Sequence, residues 1–154
     1  MRIGVGIIIL NNSNQVFVGK RKDNSGDKWQ MPQGGVDQGE DFKTAMKREL
    51  MEETSIKNIK NLKEIDKIYE YELPENLVGI IWKGKFKGQK QKWFLLGLEA
   101  DDSQVELDKF GEPEFDDWRW VSYWYPVNQV IEFKRDVYRR ALRELLGPLE
   151  RYIK

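Results

Sequence analysis

Three glutamates lie at spacings that place their carboxylates together on one predicted helix. The segment 41–54 has the pattern of an amphipathic helix, and Glu49, Glu52 and Glu53 are related within it by three and four residues. Residues at these spacings share one helix face. Crowded carboxylates repel one another unless a positive charge lies between them, and Mg²⁺ and Mn²⁺ prefer oxygen ligands. The spacing therefore predicts a site for a divalent metal, Mg²⁺ or Mn²⁺.

The apolar stripe of the same helix supports this interpretation. Apolar residues of its first turns should face the protein, and Glu49 and Glu53 continue that stripe. A carboxylate at an inward position must be paired, neutralised or bound to metal. Arg48 could pair with Glu52 four residues later, but one guanidinium cannot neutralise three carboxylates. The alternative is a solvated helix end, which is the usual explanation for an arbitrary glutamate cluster.

The residues around the glutamates decide between these alternatives. The segment 34–56 resembles the Nudix box: Gly, five residues, Glu, seven residues, then Arg-Glu-apolar-x-Glu-Glu-x-Gly-apolar. It departs at Ser55, where the family has a glycine that serves a helix C-terminal turn with positive φ. Serine there should cost on the order of 1 kcal/mol without removing a ligand. The residues in register with the box are Gly34, Glu40, Arg48, Glu49, Leu50, Glu52, Glu53 and Ile56.

Four further segments extend the resemblance over essentially the whole chain. They are PQGG at 32–35, GQKQKWFLL at 88–96, PEFDDWRWVSYWYPV at 113–127 and FKRDVYRR at 133–140. Together they closely resemble the bacterial RNA pyrophosphohydrolases of the Nudix family, once described as dinucleoside polyphosphate hydrolases. The resemblance implies an α/β (α+β) Nudix fold, a mixed β-sheet sandwiched between α-helices, in one domain over residues 1–154.

The resemblance also implies a reaction. RNA with a 5′-triphosphate would be hydrolysed to a 5′-monophosphate, the end that degradative ribonucleases favour, so that the enzyme would initiate mRNA decay. The alternative is hydrolysis of diadenosine tetra- or pentaphosphate by the same apparatus. A third hypothesis, a Nudix-like RNA-binding module without catalysis, is disfavoured by the intact glutamates.

Roles for the acidic residues follow from the resemblance. Glu114, in the PEF segment, is similar to a family carboxylate that a loop brings to the metal from outside the box. Glu52, Glu53 and Glu114 are the expected catalytic residues, and Glu52 or Glu53 should take the proton of the attacking water. Glu40 and Arg48 should orient the loop and the helix. The expected metal ligands are Glu49, Glu52, Glu53, Glu114 and the carbonyl of Gly34 or Gly35.

Substrate contacts are implied in the same way. Phe133 would stack on a base with Ile131 beside it, which contributes about 1–3 kcal/mol per base; the alternative places Phe133 in the core. The lysines of 83–92 would follow the RNA backbone, or form a solvated hairpin. The expected substrate-binding residues are Arg2, Arg21, Gln89, Ile131, Phe133 and Lys134.

Composition restricts the available chemistry. The 154 residues are enough for one domain with a core, and they include no cysteine and no histidine. Acid–base chemistry must therefore come from carboxylates, lysine, tyrosine or metal-activated water. The net charge is zero and no apolar run is long enough to span a membrane. We expect a cytoplasmic monomer that acts on RNA or a dinucleoside polyphosphate, without DNA or membrane partners.

The predicted elements that position these residues alternate between sheet and helix. A polar loop is predicted at 22–28. Strands are predicted at 3–10, 15–21, 62–71, 78–82, 92–99 and 117–121, and helices at 41–54, after Pro126 and at 134–152.

Overall fold

The computed structural model describes residues 1–22, 28–99, 101–109 and 113–153. In this part of the chain, eight strands and three α-helices are joined by turns and short 3₁₀-helices. The α-helices are α1 (Phe42–Thr54), α2 (Tyr125–Gln129) and α3 (Arg135–Ile153). The strands are β1 (Arg2–Leu10), β2 (Val16–Arg21), β3 (Trp29–Gln30), β4 (Gln33–Gly35), β5 (Ile59–Glu64), β6 (Tyr69–Glu72), β7 (Gly88–Leu98) and β8 (Phe115–Val121). The 3₁₀-helices are Ile81–Gly84, Asp102–Gln104 and Glu132–Lys134.

Strand β1 lies at the centre of a mixed sheet. It pairs parallel to β7, with Arg2 opposite Gln89, and antiparallel to β2 and β4. The main path of the sheet runs β3-β2-β1-β7-β5, while β8 pairs with β2 and β6 pairs with β7. Residues 4–10 of β1 are all buried. A strand covered on both faces has this nearly continuous apolar sequence.

The helices cover the two faces of the sheet. Val5, Ile7 and Ile9 of β1 belong to one apolar core with Met46 and Leu50 of α1. The alternate residues Ile8 and Leu10 belong to a second core with Val137, Ala141 and Leu142 of α3. This alternation follows from the two-residue period of a strand. The predicted mixed sheet between helices is confirmed.

Two predicted strands differ from the structure. The run at 78–82 forms a turn and the start of a 3₁₀-helix, closed by the bond from Ile80 N to Leu77 O at 3.1 Å. Its apolar residues pair with no strand, because Gly79 turns the backbone at φ +88° and leaves Ile80 69% exposed. The predicted strand at 62–71 is two strands, β5 and β6, because the chain turns at 66–67 between two separate pairings with β7.

The remaining elements agree with their predictions to within a few residues. The loop predicted at 22–28 falls largely on residues 23–27, which lie outside the described residues. Within the described chain, no helix combines the length and the apolar character needed to cross a bilayer.

Candidate active site

Helix α1 has a capping residue at each end, Asp41 and Ser55. The carboxylate of Asp41 accepts a hydrogen bond from Thr44 N at 2.7 Å. Ser55 ends the helix at φ 66°, and its amide donates to Met51 O at 2.9 Å. The positive φ predicted for this position is confirmed. The Ser55 hydroxyl also donates to Glu106 O at 2.8 Å, a contact that the sequence did not indicate.

Arg48 connects the helix to the glycine turn of β4. Its guanidinium donates to both carboxylate oxygens of Glu40 at 2.9 Å and to the Gly35 carbonyl at 2.8 Å. It also donates to Glu49 at 2.9 Å and to Glu52 at 3.2 Å. The bonds from Arg48 lower the pKa of Glu40 to about 2. This network holds Glu40 ionised and occupies the Gly35 carbonyl.

Within the described chain, Glu53 is the one glutamate of the box motif that Arg48 does not contact. Its side chain is buried and accepts a hydrogen bond from the backbone amide of Gln33. Its Oε2 has no partner among the described residues. Burial raises the pKa of Glu53 well above its usual value, and the charges of Glu114 and Glu49 add to this effect. Burial also raises the pKa of Glu49, although Arg48 opposes the shift.

Glu49 and Glu53 open into a pocket of about 420 Å³. Gly34 forms part of its wall, and a Cβ at that position would overlap the Glu49 carboxyl group and force it to move. The lining combines three carboxylates with three cations and two aromatic rings. The lining residues are Arg2, Arg21, Gln33, Gly34, Glu49, Glu53, Tyr71, Leu73, Ile81, Glu114, Phe133 and Lys134.

Three predicted site residues are not among those that line the pocket. Glu52 lies on the outer side of α1, with its side chain 47% exposed and paired with Arg48. Gln89 is fully buried behind the wall, where it donates to the Tyr71 hydroxyl at 2.8 Å and accepts from Arg2 at 3.5 Å. Ile131 is half-buried against the core on the α3 side.

Comparisons with known proteins identify the family. A family model described as NUDIX domain matches residues 1–145. The chain belongs to the Nudix family. This finding confirms the resemblance that the box and the four further segments indicated.

The relatives of this Nudix chain include proteins of similar length. An RNA pyrophosphohydrolase of Pelagibacter ubique is 52% identical over 150 residues, which are 96% of this chain and 94% of the relative. An RNA pyrophosphohydrolase of Vibrio vulnificus is 52% identical over 145 residues, which are 93% of this chain and 83% of the relative.

Solved structures share the fold at low identity. The E. coli dihydroneopterin triphosphate pyrophosphohydrolase has a TM-score of 0.70 at 19% identity, with 92% of this chain and 95% of that chain covered. A C. elegans Ap4A hydrolase has a TM-score of 0.68 at 21% identity, with 96% and 99% covered. These identities support the Nudix fold alone.

Nudix hydrolases generally use divalent metal ions, and the donors in this pocket fit such an ion. Glu49, Glu53 and Glu114 offer carboxylate oxygens, and the unpartnered Oε2 of Glu53 is buried. Among the described residues, however, no three acidic side chains converge closely enough to enclose an ion. This arrangement suits a small hard cation that shares its coordination between a few carboxylates and the substrate's phosphates.

Gln30 and Tyr71 contact cations of the pocket, and no sequence pattern indicated either residue. Gln30 is buried, and its Oε1 accepts from Arg21 Nη1 at 3.2 Å and from Lys134 Nζ at 3.3 Å. The Tyr71 ring lies 5.6 Å from the Phe133 ring and 5.9 Å from Lys134 Nζ. These contacts join residues that are distant in the chain, so local spacing could not reveal them.

Proposed function

We propose that this Nudix protein is an RNA 5′ pyrophosphohydrolase that converts 5′-triphosphate RNA ends to 5′-monophosphate ends. Relatives 52% identical over more than nine-tenths of the chain are named for RNA pyrophosphohydrolase activity. The observation that carries the proposal is that one pocket combines carboxylates with cations and aromatic rings.

The cations and aromatic rings of the pocket match the 5′ end of the RNA. Arg2, Arg21 and Lys134 reach the pocket from three different elements, and their charges oppose those of a triphosphate. Phe133 and Tyr71 lie beside Lys134 and offer ring faces to the first base. Gln89 contributes from behind the wall, because it holds both Arg2 and Tyr71.

Mg²⁺ would be held by carboxylates drawn from Glu49, Glu53 and Glu114 together with the substrate's phosphates, and the Gly34 carbonyl is a further candidate ligand. When bound, the ion supplies neutralising charge to the phosphoryl oxygens and lowers the pKa of a water. The Gly35 carbonyl already accepts from Arg48, and Gly34 lies opposite Val5 in the pairing of β1 with β4. Glu52 would have to leave Arg48 in order to join the site.

The protein groups then have separate tasks in hydrolysis. Glu53 is placed to accept the proton of the attacking water, because its Oε2 is unpartnered within the described residues while Glu52 is engaged by Arg48. The water oxygen forms a bond to phosphorus as an anhydride P–O bond breaks. Lys134 and Arg21 offset the negative charge that gathers on the departing phosphate.

The test compares two substrates at matched concentration, a short 5′-triphosphate RNA and diadenosine tetraphosphate, with and without Mg²⁺. We expect Mg²⁺-dependent formation of 5′-monophosphate RNA at the higher kcat/KM, and loss of both activities in Glu53→Gln. Faster cleavage of the dinucleotide would move the function to dinucleoside polyphosphate hydrolysis with the same chemistry. Activity that survives Glu53→Gln would contradict the assigned site.

A further inference from the structure

A second groove lies beside the pocket, where β6 meets α3. It has a volume of about 360 Å³ and is lined by Lys67, Tyr69, Arg140, Arg143 and Glu144. Three of these side chains are cationic and one is anionic. The net charge of the whole chain is zero, so this local excess of positive charge distinguishes the groove from the average surface.

The groove continues the active-site pocket along two elements. Tyr69 and Tyr71 occupy alternate positions of β6, both buried, so they share a strand face about 7 Å apart. Arg140 lies on α3, which begins two residues after Phe133 and directly follows the 3₁₀-helix that carries Phe133. Because Tyr71 and Phe133 line the pocket, the groove lies near it along β6 and α3.

The Arg140 side chain packs on an aromatic ring of the groove and stays partly exposed to solvent. The Arg140 guanidinium lies 4.6 Å from the centre of the Tyr69 ring, and Tyr69 itself is 4% exposed. Arg140 also pairs with Asp136 at 3.6 Å, and its side chain remains 50% exposed. A flat guanidinium with one face on an aromatic ring keeps its N–H groups for an incoming anion.

The charges near β8 differ from those of the groove. On the β8 side, Glu114 is followed by the exposed carboxylates Asp116 and Asp117. Arg21 and Lys22 lie beside Glu114, so the local charge there is mixed, whereas the groove has three cations and one carboxylate. The groove's two arginines and one lysine suit phosphodiester groups better than an apolar protein surface.

We propose that this groove binds the phosphodiester backbone of nucleotides downstream of the 5′ end, while the pocket holds the end itself. The proposal rests on the function proposed above. It assigns to Lys67, Arg140 and Arg143 a contribution that grows with RNA length and does not depend on base identity. A substrate that ends within the pocket does not reach the groove.

The experiment measures kcat and KM for a triphosphorylated dinucleotide and for a single-stranded triphosphate RNA of about ten nucleotides. In the double variant Arg140→Gln and Arg143→Gln, KM for the longer RNA should rise about fivefold, while kcat and all dinucleotide constants stay unchanged. The slope of log KM against log salt concentration should fall by about 0.7 for each phosphate that the variant no longer neutralises. Arg139→Gln is the control for each single variant, Arg140→Gln or Arg143→Gln: it removes one positive charge from the position of α3 just before Arg140, and Arg139 does not line the groove.

Lys67→Gln distinguishes the loss of a cation that binds RNA from the loss of side-chain packing. Arg140 packs on Tyr69, but Lys67 lies exposed on a turn, so its replacement should reproduce part of the length-dependent effect in a fully folded protein. Equal losses on both substrates, or no loss on the longer one, would overturn the proposal. If the parent protein hydrolyses the dinucleotide but gains nothing with length, only the groove assignment fails. If it hydrolyses neither RNA, the proposed function fails and the groove assignment falls with it.

Discussion

Replacing Ser55 by glycine should leave the stability of the protein nearly unchanged, although glycine is the residue that its backbone favours. Ser55 lies at φ 66°. Relief of the left-handed strain on a residue with a Cβ contributes about 1–2 kcal/mol of stability. Glycine also makes the unfolded chain more flexible, at a cost of about 0.4–1 kcal/mol.

The serine hydroxyl supplies the remaining contribution. It donates to Glu106 O at 2.8 Å, and a hydrogen bond of this kind contributes about 0.5–1.5 kcal/mol. Glycine loses this bond, so the gain from relieved strain and the two losses cancel to within about 1 kcal/mol. Alanine loses the bond and keeps the strain. Ser55→Ala should therefore destabilise the protein by about 1 kcal/mol.

Thermal and urea unfolding of the two variants and the parent protein test this reasoning. One kcal/mol corresponds to about 2–4 °C in Tm for a protein of this size. We expect Ser55→Gly within that interval of the parent and Ser55→Ala below it by about the same amount. A glycine variant that is more stable by about 2 kcal/mol, or an alanine variant as stable as the parent, would show that the hydroxyl contributes nothing.

Four further predictions concern the pocket. Glu53→Gln should lower turnover with Mg²⁺ about a hundredfold or more while circular dichroism remains native, and a near-normal rate would refute its role. Burial raises the pKa of folded Glu53 above its value in the unfolded chain, so the unfolded state loses its proton first as pH rises, and stability falls. Metal-free Glu53→Gln should therefore have a higher Tm than the parent at about pH 8, with the difference vanishing toward pH 4.5; a constant difference would contradict this. Gln30→Met removes the oxygen shared by Arg21 and Lys134 and should raise KM about tenfold with kcat little changed in steady-state assays, whereas a loss confined to kcat would contradict a positioning role. Phe133→Ala should weaken binding of RNA more than of free nucleotide in titrations, and equal losses would make Phe133 structural.

The local structure of the box helix could be predicted from the sequence because its causes are local. Apolar spacing defines the helix, and the glycine position of the motif predicts the positive φ that Ser55 adopts. The inward direction of Glu53 follows from the same periodicity, and the structure buries it. The contact of Ser55 with Glu106 could not be predicted, because it depends on a loop far along the chain.

The grouping of Gln30 with the cations of the pocket could not be predicted from the sequence, because it depends on the fold. Lys134 and Gln30 are separated by 104 positions, and only the sheet and the start of α3 bring them to 3.3 Å. The resemblance to the family pointed to Lys134, but Gln30 carries no charge and belongs to a two-residue strand. No local pattern distinguishes such a buried amide from any other glutamine.

The prediction of a strand at 78–82 was wrong for a physical reason. An apolar, β-branched run normally predicts a strand that buries alternate residues. Here the run leaves the sheet, Ile81 lines the pocket and Ile80 lies in solvent. Conflicts between local pattern and structure are expected where residues serve a site instead of the core.

The central position of β1 has a consequence for the order of events during synthesis. Residues 4–10 carry no charged side chain, and their parallel partner begins only at Gly88. Pairings between such distant segments form slowly, and an uncovered apolar run is prone to aggregation until they do. During synthesis, residues 4–10 therefore lack their parallel partner until β7 has been made, although β2 and β4 can pair with β1 earlier. Because Arg2 is made early and Lys134 late, no product of premature termination before Lys134 can assemble the pocket.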